Sequence, residues 1–246
     1  KIFLIMVISP VAVTDWYGPF LDNSIVTFTS DPWSSWLENL GSLRAFPYGY
    51  AMWLMFLPLT ILSKAVGLPI EYGYQFTLLI CDFGLLCVLN RILAIRATLV
   101  LFAYWLSPVV IVASYGLGLN DVVPALYLML AILFLNRQRL KFTGVFFALA
   151  VSAKLSMLIV FPFLILYLYN NKPLRQLLYD FALGFVITLV CVGLPFVLSS
   201  SGMIMLAGNQ EMLSILSLSF EVSRGVVIYF LPICFVAIVY FVWRAK

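Results

Sequence analysis

The chain has 246 residues, of which 64% are hydrophobic and 10% charged; soluble domains carry roughly 45–50% apolar and about 25% charged residues, so a water-soluble globule is excluded. Its net charge of +4 is small and scattered, which excludes a nucleic-acid partner. The complete absence of histidine excludes a serine–histidine triad and every histidine-ligated metal or haem site.

Roughly 157 apolar residues would supply about seven or eight crossings of about 20 residues each. The apolar runs, in chain order, are Ile2–Val13, Tyr48–Ser63, Tyr74–Leu89, Thr98–Ser114, Val122–Leu135, Phe142–Tyr169, Leu177–Leu198 and Val226–Trp243. Gly, Pro, Asn or charge punctuates them, as at membrane-helix ends. The first run is too short to cross and reads as a crossing whose start precedes Lys1. A cleaved signal peptide is the weaker alternative, because no small-x-small site follows. Two polar segments read as loops, 14–46 and 199–225. The expected fold is all-α: one polytopic membrane bundle over 1–246, with about eight spans and a short amphipathic helix in the first loop. Cys81, Cys87, Cys191 and Cys234 lie in apolar runs with no CxxC pair, and read as inert filler.

Charge assigns the sides. Arg91/Arg96, Arg137/Arg139/Lys141, Lys172/Arg175 and Arg244/Lys246 form four clusters between or after spans, and the positive-inside rule makes them cytoplasmic. Asp15, Asp22, Asp31 and Glu38 dominate the first loop, against Arg44, so that loop and 199–225 are extracytoplasmic. Between outer Phe46 and inner Arg91 an odd number of crossings is then needed. Tyr74–Leu89 crosses, and Pro47–Lys64 lies along or dips into the outer face. The 28-residue run Phe142–Tyr169 must cross twice, which sets Lys154 at the apex of two shortish helices.

The residues that can carry chemistry gather on that outer side. Asp31 opens Ser30-Asp31-Pro32-Trp33-Ser34-Ser35-Trp36-Leu37-Glu38-Asn39-Leu40-Gly41, where Asp as N-cap, Pro at the first position and a late Gly predict a short helix. Its stripe of Trp33, Trp36, Leu37 and Leu40 predicts a helix lying on the membrane surface. Capping alone would account for Asp31, and interfacial anchoring for Trp33 and Trp36. Asp15 follows the first span directly and is either a site acid or a plain rim residue. Asn120 and Asp121 open the span after Gly116-Leu117-Gly118-Leu119, as helix caps or as site residues. Lys154 has more than ten apolar residues on each side, and an ionisable group at such depth is a functional candidate by default. Asp82 is equally deep, with no local partner. Carboxylates beside rim cations such as Lys154 and Arg224 suit the binding of a lipid phosphate and the deprotonation of a hydroxyl.

The order of these features resembles the membrane-embedded GT-C glycosyltransferases, in particular the mannosyltransferases of lipid-linked glycan and glycolipid assembly. An acidic first loop leads to a short helix and the turn Phe46-Pro47-Tyr48-Gly49. Ser107-Pro108, then Gly118-Leu119-Asn120-Asp121, then a helix pair with Lys154 follow. The oligosaccharyltransferase catalytic subunit has a similar order. The resemblance covers roughly residues 10–170. It implies an inverting transfer of a sugar from a polyprenyl-phosphate donor to a lipid or glycan acceptor. Asp31 or Asp15 would be the base, Lys154 and Arg224 would bind the lipid phosphate with Asp121 and Asn120 near the donor, and Trp33, Tyr48 and Arg44 would contact acceptor or sugar. The first loop has no Asp-x-Asp or Asp-Glu pair, so no cofactor is assigned and a divalent cation stays open. Donor, acceptor and membrane lipids are the expected partners, with room for a membrane-protein subunit. The alternative is a transporter or lipid flippase with Asp82, Asp121 and Lys154 along its path, against which the lack of an inverted repeat speaks. A non-catalytic assembly subunit is the third reading.

Overall fold

The computed structural model describes residues 1–93, 97–208, 219–223 and 226–244. Helix α1 (Ile2–Val7) precedes Pro10, where the chain restarts as a wide turn (Val13–Tyr17) running into α2 (Gly18–Thr27). Phe28 ends α2 in the left-handed region, at φ 32°. Helix α3 (Pro32–Glu38) begins as its sequence dictates: the Asp31 carboxylate accepts from the Ser34 amide at 3.1 Å, with Pro32 at the first position. The segment 14–46 is therefore mostly helical rather than a loop. The reason is its apolar content, since Phe20, Leu21 and Trp33 are all fully buried.

Helix α4 (Tyr50–Ala65) leads to α5 (Ile70–Leu93), then to a bent pair, α6 (Ala97–Trp105) and α7 (Pro108–Gly116). The bend is 47° and falls at Ser107-Pro108, where proline cannot continue the hydrogen-bond ladder. Helices α8 (Val122–Asn136), α9 (Leu140–Ala153), α10 (Leu155–Asn170), α11 (Lys172–Arg175), α12 (Leu178–Leu198), α13 (Ser200–Ala207) and α14 (Phe230–Arg244) complete the helical order. A hairpin of β1 (Ser219–Ser223) and β2 (Val226–Tyr229) precedes α14. Apart from this short hairpin the described residues are helical, as expected, and the hairpin shortens the last apolar run to the 15 residues of α14.

Helix directions follow from contacts. The Tyr74 hydroxyl donates to the Gly118 carbonyl at 2.8 Å, and Gly84 faces Leu126, so α5 and α8 run parallel from one end of the bundle. They finish at Arg91 and Arg137. Helix α9 returns and stops at Lys154, whose extended backbone (φ −149°, ψ 117°) breaks the predicted long run in two. Phe147 stacks on Phe161 across the break, and α10 descends to the Lys172/Arg175 end. Helix α4 crosses the other end: Gly49 abuts the Ser152 carbonyl, Gly73 abuts that of Leu59, and Phe56 stacks on Tyr74 at 4.3 Å. It packs against the first part of α5 through Gly73 and Tyr74 and meets the end of α9 at Gly49.

Helices α5 and α12 are long and apolar enough to span a membrane, and the bent α6–α7 pair counts as a third. Helices α4, α8, α9, α10 and α14 are apolar but have 10–17 residues, short of the roughly 20 that a straight crossing needs. The expected eight spans thus exceed the strict count. Where α9 and α12 cross, a Cβ on Gly144 would sit 2.2 Å from the Phe181 carbonyl oxygen, and one on Gly184 2.1 Å from that of Lys141. Small residues at such crossings let helices pack without water to drive them together. Gly144→Val should cost about 1–3 kcal/mol through overpacking, read as a lowered melting temperature of the detergent-purified protein.

Candidate functional site

The end of the bundle crossed by α4 collects most of the predicted site residues. Lys154, at the break between α9 and α10, forms an ion pair with Asp121, at the start of α8. The lysine side chain is 25% exposed and the carboxylate 54%, so the pair opens to the surface. Asp121 follows a turn that only a glycine admits: Gly118 has φ +74°, and a Cβ there would lie 2.5 Å from Val13 Cγ2. That contact seats the start of the first loop beside the Asn120–Asp121 turn.

Behind the pair is a buried hydroxyl cluster. Tyr17 and Tyr48 share a hydrogen bond at 3.3 Å, Tyr17 stacks on Tyr74 at 5.3 Å, and the Asn120 amide faces the Tyr48 and Tyr74 hydroxyls. Asn120 is 1% exposed, and its Nδ2 has no acceptor among the described residues. An unsatisfied buried donor is a place for a water or ligand oxygen. Burial first, then Tyr17, raises the Tyr48 hydroxyl far above its ordinary range. Tyr48 therefore stays protonated and can donate a hydrogen bond at any physiological pH.

Next to this cluster is an apolar cavity of about 160 Å³, lined by Pro47, Tyr48, Ala153, Leu155, Phe196 and Met203 among others. It adjoins Lys154 through both of that residue's chain neighbours. The Phe46-Pro47-Tyr48-Gly49 turn forms one wall, held by the Gly49–Ser152 contact.

The three first-loop aspartates fare differently. Asp22 forms an ion pair with Lys64, and Asp31 caps α3. Asp15 is exposed and accepts from the Thr14 hydroxyl at 2.8 Å. Arg44 is exposed on the turn before Phe46, and Arg224 lies outside the described residues. Trp33 corrects an expectation: it is fully buried rather than at a membrane surface, wedged against Tyr50 and Phe196 with both ring centroids at 4.8 Å. Its Nε1 donates to the Phe46 carbonyl at 3.0 Å. The indole thus fastens α3 to the Tyr48 turn. Leu40 does not continue the predicted stripe, because the helix ends at Glu38 and Leu40 is 95% exposed.

Sequence reasoning missed the hydroxyl cluster and the partners of Asp82. Tyr48 and Tyr74 each open an apolar run, which was the available signal; Tyr17 offered none. Asp121 faces the Lys154 ammonium, and among the described residues no three Asp, Glu or Cys side chains converge as metal ligands.

The site is thus a cation–carboxylate pair and a polar cluster at one end of an apolar helical bundle. Residues 73–235 match the ALG3 protein family, and the chain belongs to it: a family of dolichol-phosphate-mannose-dependent mannosyltransferases within the GT-C superfamily. The matched region contains Gly118–Asp121 and Lys154. The family makes the chain a membrane glycosyltransferase with a lipid-linked donor. Searches of curated proteins and of solved structures find no match.

The packing role of Trp33 is testable. Trp33→Phe keeps an aromatic ring but loses the bond to Phe46, so it should cost about 1 kcal/mol of stability, while transfer per folded molecule stays within about twofold of the parent. Thermal unfolding beside a transfer assay checks both.

Proposed function

We propose that the chain is an inverting mannosyltransferase that takes its sugar from a polyprenyl-phosphate donor at the extracytoplasmic membrane face and passes it to a lipid or glycan hydroxyl. The observation that carries this reading is the Lys154–Asp121 ion pair at the apex of α9 and α10, beside the apolar cavity. Arg91, the 137–141 cluster and the 172–175 cluster stand at the opposite end, which supports an outward-facing site under the positive-inside rule. The eight-span topology belongs to the same reading: the short helices cross with the help of bending and snorkelling ends, and α4 lies on the outer face.

The acceptor hydroxyl oxygen attacks the anomeric carbon from the face opposite the leaving group. As the new C–O bond forms, the bond to the phosphate oxygen breaks and its electron pair stays on the phosphate. A carboxylate takes the hydroxyl proton. Asp15 is the first choice for this base, because its carboxylate is exposed and, among the described residues, engaged by Thr14 alone, whereas Asp31 serves α3. Lys154 stabilises the departing phosphate. Its ammonium has three donors, and Asp121 fixes its position with one of them. Asn120 Nδ2 and the protonated Tyr48 hydroxyl offer neutral donors to donor or sugar oxygens. The cations assigned to acceptor and phosphate are Arg44 and Arg224, the latter from its sequence position alone. The apolar cavity takes the first isoprene units.

With a polyprenyl-phosphate mannose donor, Asp15→Asn should lower kcat about 10²-fold or more with donor KM retained. Lys154→Gln should lower kcat/KM by a similar factor. An inactive Asp31→Asn beside an active Asp15→Asn would move the base to Asp31. Full activity in all three would overturn the site, and vesicle uptake without transfer would favour the transporter.

A further inference from the structure

Asp82 sits in the middle of α5 and is fully buried, yet it takes no part in the site described above. Its carboxylate is shared between the two halves of the bent helix. Tyr104 of α6 donates to Oδ1 and Tyr115 of α7 donates to Oδ2, each at 2.6 Å. Lys1 supplies the countercharge at Oδ2, with its ammonium 3.7 Å from the centre of the Trp105 ring. Every member of this network has a partner, which is the condition for keeping a carboxylate in an apolar interior.

The two tyrosines stand on opposite sides of the Ser107-Pro108 break. A proline bend removes backbone bonds and leaves the angle between the two halves to be set by outside contacts. Here one rigid carboxylate on α5 holds both halves. What α7 carries makes this consequential. The Leu117 amide bonds back to the Val112 carbonyl at 2.8 Å and the Leu119 amide to that of Ala113 at 2.9 Å. The turn 117–119 therefore moves with α7, and Asn120 and Asp121 follow it directly.

We propose that Asp82 is a positioning residue for the Asp121–Lys154 site, acting through Tyr115 and α7 to set where the Gly118–Asp121 turn lies against Lys154. This rests on the reading of Asp121–Lys154 as the donor-phosphate site. Tyr104 bonds the same carboxylate at the same distance but holds the half that does not carry the turn. The two tyrosines thus separate positioning from plain stability.

The test compares Tyr115→Phe with Tyr104→Phe in the otherwise unchanged protein. Each keeps the ring and leaves Asp82 two partners, whereas changing Asp82 itself would strand Lys1 and endanger folding. Two measurements are made: hydrogen exchange of peptides covering 116–121 against those in 178–198, and kcat/KM for a polyprenyl-phosphate mannose donor. Tyr115→Phe should speed exchange in 116–121 alone and lower kcat/KM about tenfold. Tyr104→Phe should leave both within about twofold of the parent. Equal effects of the two variants, unchanged exchange in Tyr115→Phe, or faster exchange with unchanged transfer would each overturn the proposal. If the parent transfers no sugar, the functional reading fails instead, and the exchange comparison alone decides whether Asp82 holds the turn.

Discussion

A lone charge in hydrocarbon is costly: about 2.5–3.5 kcal/mol at the centre of an inserting helix, more on other scales. This chain arranges its deep ionisable groups around that cost, and the rest of the structure follows from the arrangement. Asp82 stays inside because three donors surround it. Lys154 is accommodated differently. The helix breaks there instead, and the ammonium reaches the bundle end and Asp121. The break makes two short helices from one long apolar run, and their apex becomes one wall of the site.

Around the apex, packing does what burial from water cannot do inside a membrane. Lipid tails are as apolar as leucine side chains, so helices associate through close fit and polar contacts. Toward the 91–175 end, Gly144 and Gly184 bring α9 and α12 to backbone contact. Toward the site end, stacked rings take over: Tyr17 on Tyr74, Tyr74 on Phe56, and Phe20 on Phe46 at 4.7 Å. Those rings belong to the wide turn before α2, to α2, α4 and α5, and to the turn before Tyr48, so five segments are locked where the polar residues must converge. The hydroxyls of Tyr17, Tyr48 and Tyr74 are carried into place by the same rings, and site rigidity and core packing have one source.

Much of this was legible in the sequence where charge or a cap supplied the signal. Lys154 marked a break because both flanking cation clusters demanded an even number of crossings between them. Asp31-Pro32 marked the start of α3 because few residues other than Asp cap so well. Counting crossings between Phe46 and Arg91 singles out 47–64 as the segment that does not pair with a crossing, and the structure brings its start to Ser152 and its middle to Gly73. Legibility ended where every side of a helix is apolar. The stripe of Trp33, Trp36 and Leu37 fits a membrane surface or a protein core equally, and Trp33 proved to be core. The apolar content of 18–27 was hidden among polar residues, so α2 was read as loop. The partners of Asp82 come from 81, 22 and 33 residues away, and no local pattern announces contacts of that range.

The first-loop acids show how function and structure compete for the same residue type. All three aspartates of 14–46 stand on short helices or their caps, where a negative charge is easily tolerated. Asp22 is neutralised by Lys64 and Asp31 is committed to the first turn of α3. Moving either would give up a contact that the fold uses, which makes each a poorer choice of base. Asp15 has no such tie beyond a neighbouring hydroxyl, and it stands two residues beyond Val13, the contact of Gly118. A base must accept a proton and release it without disturbing its surroundings. By that requirement Asp15 is the best candidate of the three aspartates, and its place beside the Asp121 turn is consistent with it.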